Sequence, residues 1–262
     1  MDSEAILSNA VNLSQMVERH LRSDEVWGRI PELRRSYQTD DYAELPAFMP
    51  EEIHATALKE LEALFAEQAQ RRDLIIKQSG NTPRKYSNID RDALTQGSTV
   101  VPEIFRSTAL YELLEAIVGE KVLPVPYVPE EYIAARLHKA GDVHGWHWDD
   151  YTWALVWIFK MPDEDNGGSL EYVKGVPWDQ DNPRVEEFVS AGPVIRRHPA
   201  VGNAYLLKAD TALHRVSTLR YDAERMIVCF SFATVADLER EVDHESMEAL
   251  YPHSHERHTT GP

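Results

Sequence analysis

Cysteine is almost absent from this chain of 262 residues: Cys229 stands alone, in the apolar run MIVCFSF. No disulfide can form within the chain, which fits a reducing compartment and sets the expectation of a cytoplasmic protein. Long apolar runs are missing too. None approaches the roughly 20 residues needed to span a bilayer, so no membrane partner is expected. The N-terminus, MDSEAILSNAVNLSQMVERH, lacks the basic start and continuous apolar centre of a signal peptide. Cations are scarce, with 27 Lys and Arg against 44 Asp and Glu and a formal net charge of -17. Such a surface repels phosphates and argues against a nucleic-acid partner. Internal repeats and low-complexity tracts are lacking as well. What remains is a hydrophobic content of 43%, enough for a full core without disulfide or structural metal. The length suits a single domain spanning 1–262, and a homodimer is compatible with it.

The first part, 1–120, reads as a helical annex with a lid. Apolar residues recur at three- and four-residue spacing over 3–21 and 50–72, and Pro50 with two following glutamates makes a good helix start. A third helix is expected from Pro102 to Val118, stopped by Gly119. Between them QSGNTPRKYSNIDRDALTQGS has no periodicity and reads as a long ordered loop or lid. From 121 to 235 the character changes to short runs rich in Val, Ile, Phe, Tyr and Trp, punctuated by Gly, Asp, Asn and Pro. That pattern predicts a mainly β fold behind N-terminal helices, a jelly roll of the double-stranded β-helix or cupin-like kind. The tail, 236–262, ends in YPHSHERHTTGP, whose three histidines read as a solvated chain end.

Residues 143–151, VHGWHWDDY, concentrate two histidines, two tryptophans and two aspartates. His147 and Asp149 are two apart, so on a strand they share a face and offer adjacent corners to a metal ion. H-x-D alone recurs by chance in a chain with eleven histidines. Context strengthens it: the motif follows the turn AGD, and His214 in ADTALHRVSTL can supply a third ligand from a later strand. Two histidines and one carboxylate on one side of an ion leave the opposite positions open, the arrangement of non-haem Fe(II) oxygenases. Arg225 opens RMIVCFSF on a neighbouring strand and can grip the far carboxylate of 2-oxoglutarate bidentately. If it faces the site, so do Ile227, Cys229 and Ser231. Cys229 and Ser231 then either line the pocket or fill the core. Trp146, Trp148, Tyr151 and Trp153 read as core.

With these residues in place, the sequence resembles the Fe(II)/2-oxoglutarate-dependent oxygenases. HGWHWDDYTWALVWIF with GGSLEYV is similar to the radical halogenases and hydroxylases that act on free amino acids, notably lysine, over about Arg84 to Ser231. In halogenase members a glycine replaces the carboxylate ligand and vacates a position for chloride. Asp149 departs from that pattern, so the resemblance implies hydroxylation. It also implies a substrate cradle. Arg84 in TPRKY and His144 would meet the amino acid's carboxylate, Glu130 and Asp150 its ammonium groups, and Ser231 would lie in the same pocket. The charges balance, since a buried lysine zwitterion needs a cation and acids to meet it. Glu130 could equally be part of a solvated pair with Glu131, and Arg84 a plain loop residue.

The expected function is Fe(II)- and 2-oxoglutarate-dependent hydroxylation of a free basic amino acid with dioxygen, L-lysine first, at a mid-chain carbon such as C4. A related oxygenase acting on a peptidyl or carrier-tethered residue is the alternative within the class. A catalytically silent jelly-roll binding protein is the alternative outside it.

Overall fold

The computed structural model describes residues 3–252. The N-terminal part packs α1 (Ser3–Leu21), a short α2 (Asp24–Trp27), α3 (Ile30–Asp40), β1 (Tyr42–Leu45) and α4 (Glu51–Glu67). In α4, Glu51 and Glu52 occupy the first turn, and Ile53, Ala57, Leu61, Leu64 and Phe65 are buried along one face. That helix is shorter than its apolar spacing predicts. From Gln70 the chain enters β2 (Gln70–Ile76), which pairs antiparallel with β3 (Thr82–Ile89), and ladder pairing ends the helix.

The supposed lid loop over 78–98 is therefore not a loop. It contains β3 and α5 (Arg91–Gly97), whose first turn is capped by the Asp90 carboxylate accepting from the Ala93 amide at 2.8 Å. The expected helix from Pro102 to Val118 is two helices, α6 (Val100–Arg106) and α7 (Thr108–Val118). They break at Ser107, which is extended and donates its hydroxyl to Glu18 at 2.6 Å. The second stops at Gly119 in the left-handed region, as expected.

The strands that follow are β4 (Leu123–Pro124), β5 (Tyr132–Leu137), β6 (Val143–His147), β7 (Trp153–Lys160) and β8 (Leu170–Val173). After α8 (Val185–Ala191) come β9 (Ile195–Arg197), β10 (Ala204–Lys208), β11 (Leu213–Val216), β12 (Arg225–Ala233) and finally α9 (Glu245–Leu250). Among the described residues twelve strands form one curled antiparallel sheet, ten of them ordered β1-β10-β7-β12-β5-β3-β6-β11-β8-β9, with β2 paired to β3 and β4 to β12 off that path. β3 is where it folds over: its later residues, Ser87 to Ile89, pair with β5, while Arg84 and Lys85 pair with β6. The β7–β12–β5 wall thus faces the β6–β11–β8 wall, the jelly-roll arrangement expected.

Strand parity decides what each wall presents. Trp153, Leu155, Trp157 and Phe159 of β7, with Met226, Val228, Phe230 and Phe232 of β12, join the core beneath the helices. Their alternates turn to the interior of the roll: Ala154, Val156 and Ile158, and Arg225, Ile227, Cys229 and Ser231. Each of the eight outward residues is nearly inaccessible, and burying a side chain of this size contributes about 1.5–3 kcal/mol. The helical annex is thus the outer cover of the sheet that carries the site.

Candidate active site

A cavity open at its mouth lies between the two walls. His147 ends β6 and His214 sits directly opposite it on β11. Asp149 is not on the strand, as its spacing suggests, but two residues beyond its end. Its amide donates to the Ala209 carbonyl at 3.2 Å, holding the carboxylate toward the histidines. Asp149 Oδ1 lies 3.5 Å from Nε2 of His147 and 3.5 Å from Nε2 of His214.

The histidine tautomers follow from their backbone partners. Nδ1 of His147 is 2.8 Å from the Gly145 carbonyl, and Nδ1 of His214 is 2.8 Å from the Ala212 carbonyl. A carbonyl only accepts, so Nδ1 carries the proton on each ring, and both Nε2 lone pairs face Asp149. Burial, with His144, His214 and Arg84 nearby, pushes His147 well below the usual histidine range and keeps that lone pair free. Burial in turn raises Asp149, with His214 pulling it back down. A half-buried carboxylate beside two imidazole nitrogens is a donor set suited to a divalent cation. The three ligand atoms lie within 4.8 Å of one another.

Arg225 fits the cosubstrate by what it lacks. It is 2% exposed, and its Nε and Nη2 have no hydrogen-bond partner. Those two nitrogens form the edge that binds a carboxylate bidentately. Ile227, Cys229 and Ser231 line the same cavity, so the parity reading holds and Cys229 and Ser231 are pocket residues.

The remaining charged residues ring the cavity. Arg84 is buried, and its guanidinium donates to Thr82 Oγ1 at 3.0 Å, Ser79 Oγ at 3.0 Å and the Pro83 carbonyl at 3.1 Å. These partners are neutral, and burial lowers its pKa to about 10. His144 stacks on His147 with ring centres 3.9 Å apart and is held neutral by burial and the Arg84 charge. Glu130 is buried with Oε2 accepting no hydrogen bond, and burial with Asp150 beside it raises its pKa well above the usual carboxylate range. Asp150 turns away from the metal ligands and accepts from His244 Nδ1 at 3.1 Å. Of the four aromatics expected in the core, Trp148, Tyr151 and Trp153 are buried, while Trp146 is half-buried beneath the Arg215 guanidinium.

Sequence reasoning missed the contribution of the C-terminal segment. Ser246, Met247, Leu250 and Tyr251 line the cavity, so the first part of the tail is a wall of the site. Six residues of helix without a marked periodicity gave little signal, although buried Leu250 and Tyr251 as an apolar pair were a hint. His253, His255 and His258 lie outside the described residues.

A jelly roll carrying two histidines, a carboxylate and a buried arginine with a free bidentate edge defines an iron/2-oxoglutarate oxygenase, with Fe(II) and 2-oxoglutarate as its cofactors. A family model described as Halogenase D matches residues 26–252, and the chain belongs to that family. No curated protein sequence matches. Among solved structures, the chain is similar in fold to the non-heme alpha-ketoglutarate-dependent epimerase SnoN of nogalamycin biosynthesis, at 15% identity and TM-score 0.61, over 79% of this chain and 81% of that one. SnoN has been seen with Fe3+, alpha-ketoglutarate and nogalamycin RO. AviO1 of Streptomyces viridochromogenes superposes at 17% identity and TM-score 0.60, over 79% and 95%. A prolyl hydroxylase of Trichoplax adhaerens, in complex with a hypoxia-inducible-factor peptide fragment, superposes at 12% identity and TM-score 0.55, over 92% and 98%. Among the described residues no helix is long and apolar enough to cross a membrane.

Proposed function

We propose that the protein hydroxylates a free basic amino acid, L-lysine first, at a mid-chain carbon such as C4. The observation that carries this reading is the charge pattern of one cavity: a buried arginine without an acid partner, Arg84, and two buried acids, Glu130 and Asp150. A ligand whose carboxylate and ammonium lie apart meets all three. A buried charge left unmatched costs several kcal/mol, so the set is hard to explain as packing.

His147, Asp149 and His214 would hold the iron, and Arg225 the far carboxylate of 2-oxoglutarate. Arg84 and His144 would receive the amino acid's carboxylate, with Glu130 and Asp150 receiving ammonium. Ser231 sits among them on the β12 wall and would contact the substrate. Ala135, Ala154, Val156 and Ile227 give the cavity apolar sides that exclude water from the aliphatic chain. When bound, iron and 2-oxoglutarate would supply the dioxygen chemistry: 2-oxoglutarate loses carbon dioxide to give succinate, one oxygen atom of dioxygen enters succinate and the other becomes the new hydroxyl of the amino acid. The protein's own task is to fix one C–H bond near the ligand triad. Asp149 keeps a carboxylate where halogenase relatives have glycine, which favours hydroxylation over halogenation.

A second reading, oxygenation of a peptidyl residue, draws support from the peptide-bound prolyl hydroxylase neighbour. The C-terminal segment lining the cavity favours a small ligand instead. A screen of twenty free amino acids and lysine-containing peptides, with Fe(II) and 2-oxoglutarate, decides between them. Succinate formation with a gain of one oxygen on free lysine is expected. Turnover of peptides alone would replace the free amino acid with the peptidyl substrate.

A further inference from the structure

The two acids assigned to ammonium have a third neighbour that the reading above does not use. His244, just before α9, donates from Nδ1 to Asp150 Oδ2 at 3.1 Å, and the same nitrogen is 4.0 Å from Glu130 Oε2. Its ring lies flat on Tyr127, centroids 3.8 Å apart and planes within 8°. Side chains on either side of it are tied down. Arg240 donates to the Asp150 carbonyl and, at 2.9 Å, to Asp237. Asp237 in turn accepts from the Thr152 hydroxyl at 2.6 Å. The side-chain amide of Gln78 donates to Asp243 and Glu245, each at 3.1 Å, on the two residues that flank His244. The ring is therefore fixed in place and aimed, rather than left at a surface.

Its effect on the acids is unequal. One oxygen of Asp150 is taken by the imidazole, which fixes the carboxylate's rotamer and leaves Oδ1 for another donor. Glu130 Oε2 is buried and accepts nothing. A buried carboxylate oxygen without a donor is costly by itself, and here it stands beside an acid already oriented by a neighbour. An ammonium group, with three donors on one small cation, can satisfy both.

We propose that His244 is a positioning residue for the substrate: acting through Asp150, it shapes an acid pair that accepts a single ammonium group, and the C-terminal segment brings it there. The inference rests on the amino-acid reading of the cavity. It adds that a residue some ninety positions beyond Asp150 sets how tightly and in what orientation that group is held. Lysine held at this point presents a fixed stretch of its chain to the metal ligands, so the grip governs which carbon is oxidised as well as affinity.

Calorimetry on the full-length protein with Mn(II) and 2-oxoglutarate tests this, using L-lysine, L-norleucine and 6-aminohexanoate, the last two each lacking one ammonium. His244→Ala should weaken lysine about tenfold, the scale of one hydrogen bond to a charged group, and leave 2-oxoglutarate binding unchanged. Toward the probe lacking the ammonium held here, it should bind as the wild type does. His244→Asn places an amide nitrogen close to where Nδ1 lies and should restore lysine to within about threefold. In turnover with Fe(II), the alanine variant should spread hydroxylation over more than one carbon. Lysine binding unchanged in His244→Ala would overturn the proposal while sparing the substrate reading. Equal losses in the alanine and asparagine variants, with 2-oxoglutarate binding also reduced, would make His244 a mere anchor of the segment. A second Mn(II) equivalent that disappears with His244→Ala would make the cluster a metal site instead. No lysine binding by the wild type would overturn both this inference and the function on which it rests.

Discussion

Arg225 presents two buried nitrogens with nothing to bond, and at the scale of single residues this incompleteness says most about ligands. A folded chain that buries donors unmatched has spent stability on something other than folding, and a carboxylate from outside restores the balance. Arg225→Ala should therefore raise the requirement for 2-oxoglutarate by an amount equivalent to about 2–4 kcal/mol, the loss of a bidentate charged contact. Lysine affinity should change little, as should the melting temperature. Initial rates over a range of 2-oxoglutarate concentrations measure this, and an unchanged dependence would place the anchor elsewhere. The same logic shows which residues could be found from sequence. His147, Asp149, His214 and Arg225 were legible because the chemistry of iron and of a dicarboxylate dictates their types and rough order. His244 was not, because its meaning lies only in the Asp150 and Glu130 oxygens that the fold brings to it.

At the scale of elements, β6 and β3 hold the site together through an unusually close approach. A Cβ on Gly145 would lie 2.7 Å from the Pro83 carbonyl oxygen and 2.8 Å from Pro83 Cδ. Real contacts do not reach such distances, and both atoms belong to a strand in the same ladder or to its rigid ring. The Gly145 carbonyl also accepts from His147 Nδ1 and, at 3.4 Å, from Arg84. Gly145→Ala should push the strands apart, costing about 1–3 kcal/mol of stability, and weaken iron and lysine binding together. Thermal melts with metal and lysine titrations report both effects. A folded alanine variant with both affinities intact would show that this approach is not what sets the site. β3 was hidden in the sequence for a related reason. Its inward face presents Arg84 and Tyr86 to the cavity, so the apolar alternation that marks a half-buried strand is missing. β7 and β12 are buried on both faces and read clearly, as did the helix stop at Gly119.

For the whole molecule, the jelly roll behind N-terminal helices was legible because strand length, turn residues and apolar content all pointed one way. The boundaries were less so. Ladder pairing with β3 shortened α4 below its own periodicity, and an extended Ser107 split one apolar helical run in two. The activity is set at this same scale, since histidines from β6 and β11, an arginine from β12 and Asp150, held by the C-terminal segment, meet in one cavity only when the sheet is curled. The central claim is that this assembly, with a carboxylate at Asp149, directs a lysine-bound site toward hydroxylation. Mass spectrometry of the products formed from L-lysine, Fe(II), 2-oxoglutarate and dioxygen in saturating chloride tests it most directly. The account predicts lysine carrying one added oxygen and no chlorine. Chlorinated lysine made by the unmodified protein would contradict it, since Asp149 would then not occupy the position that the halide needs.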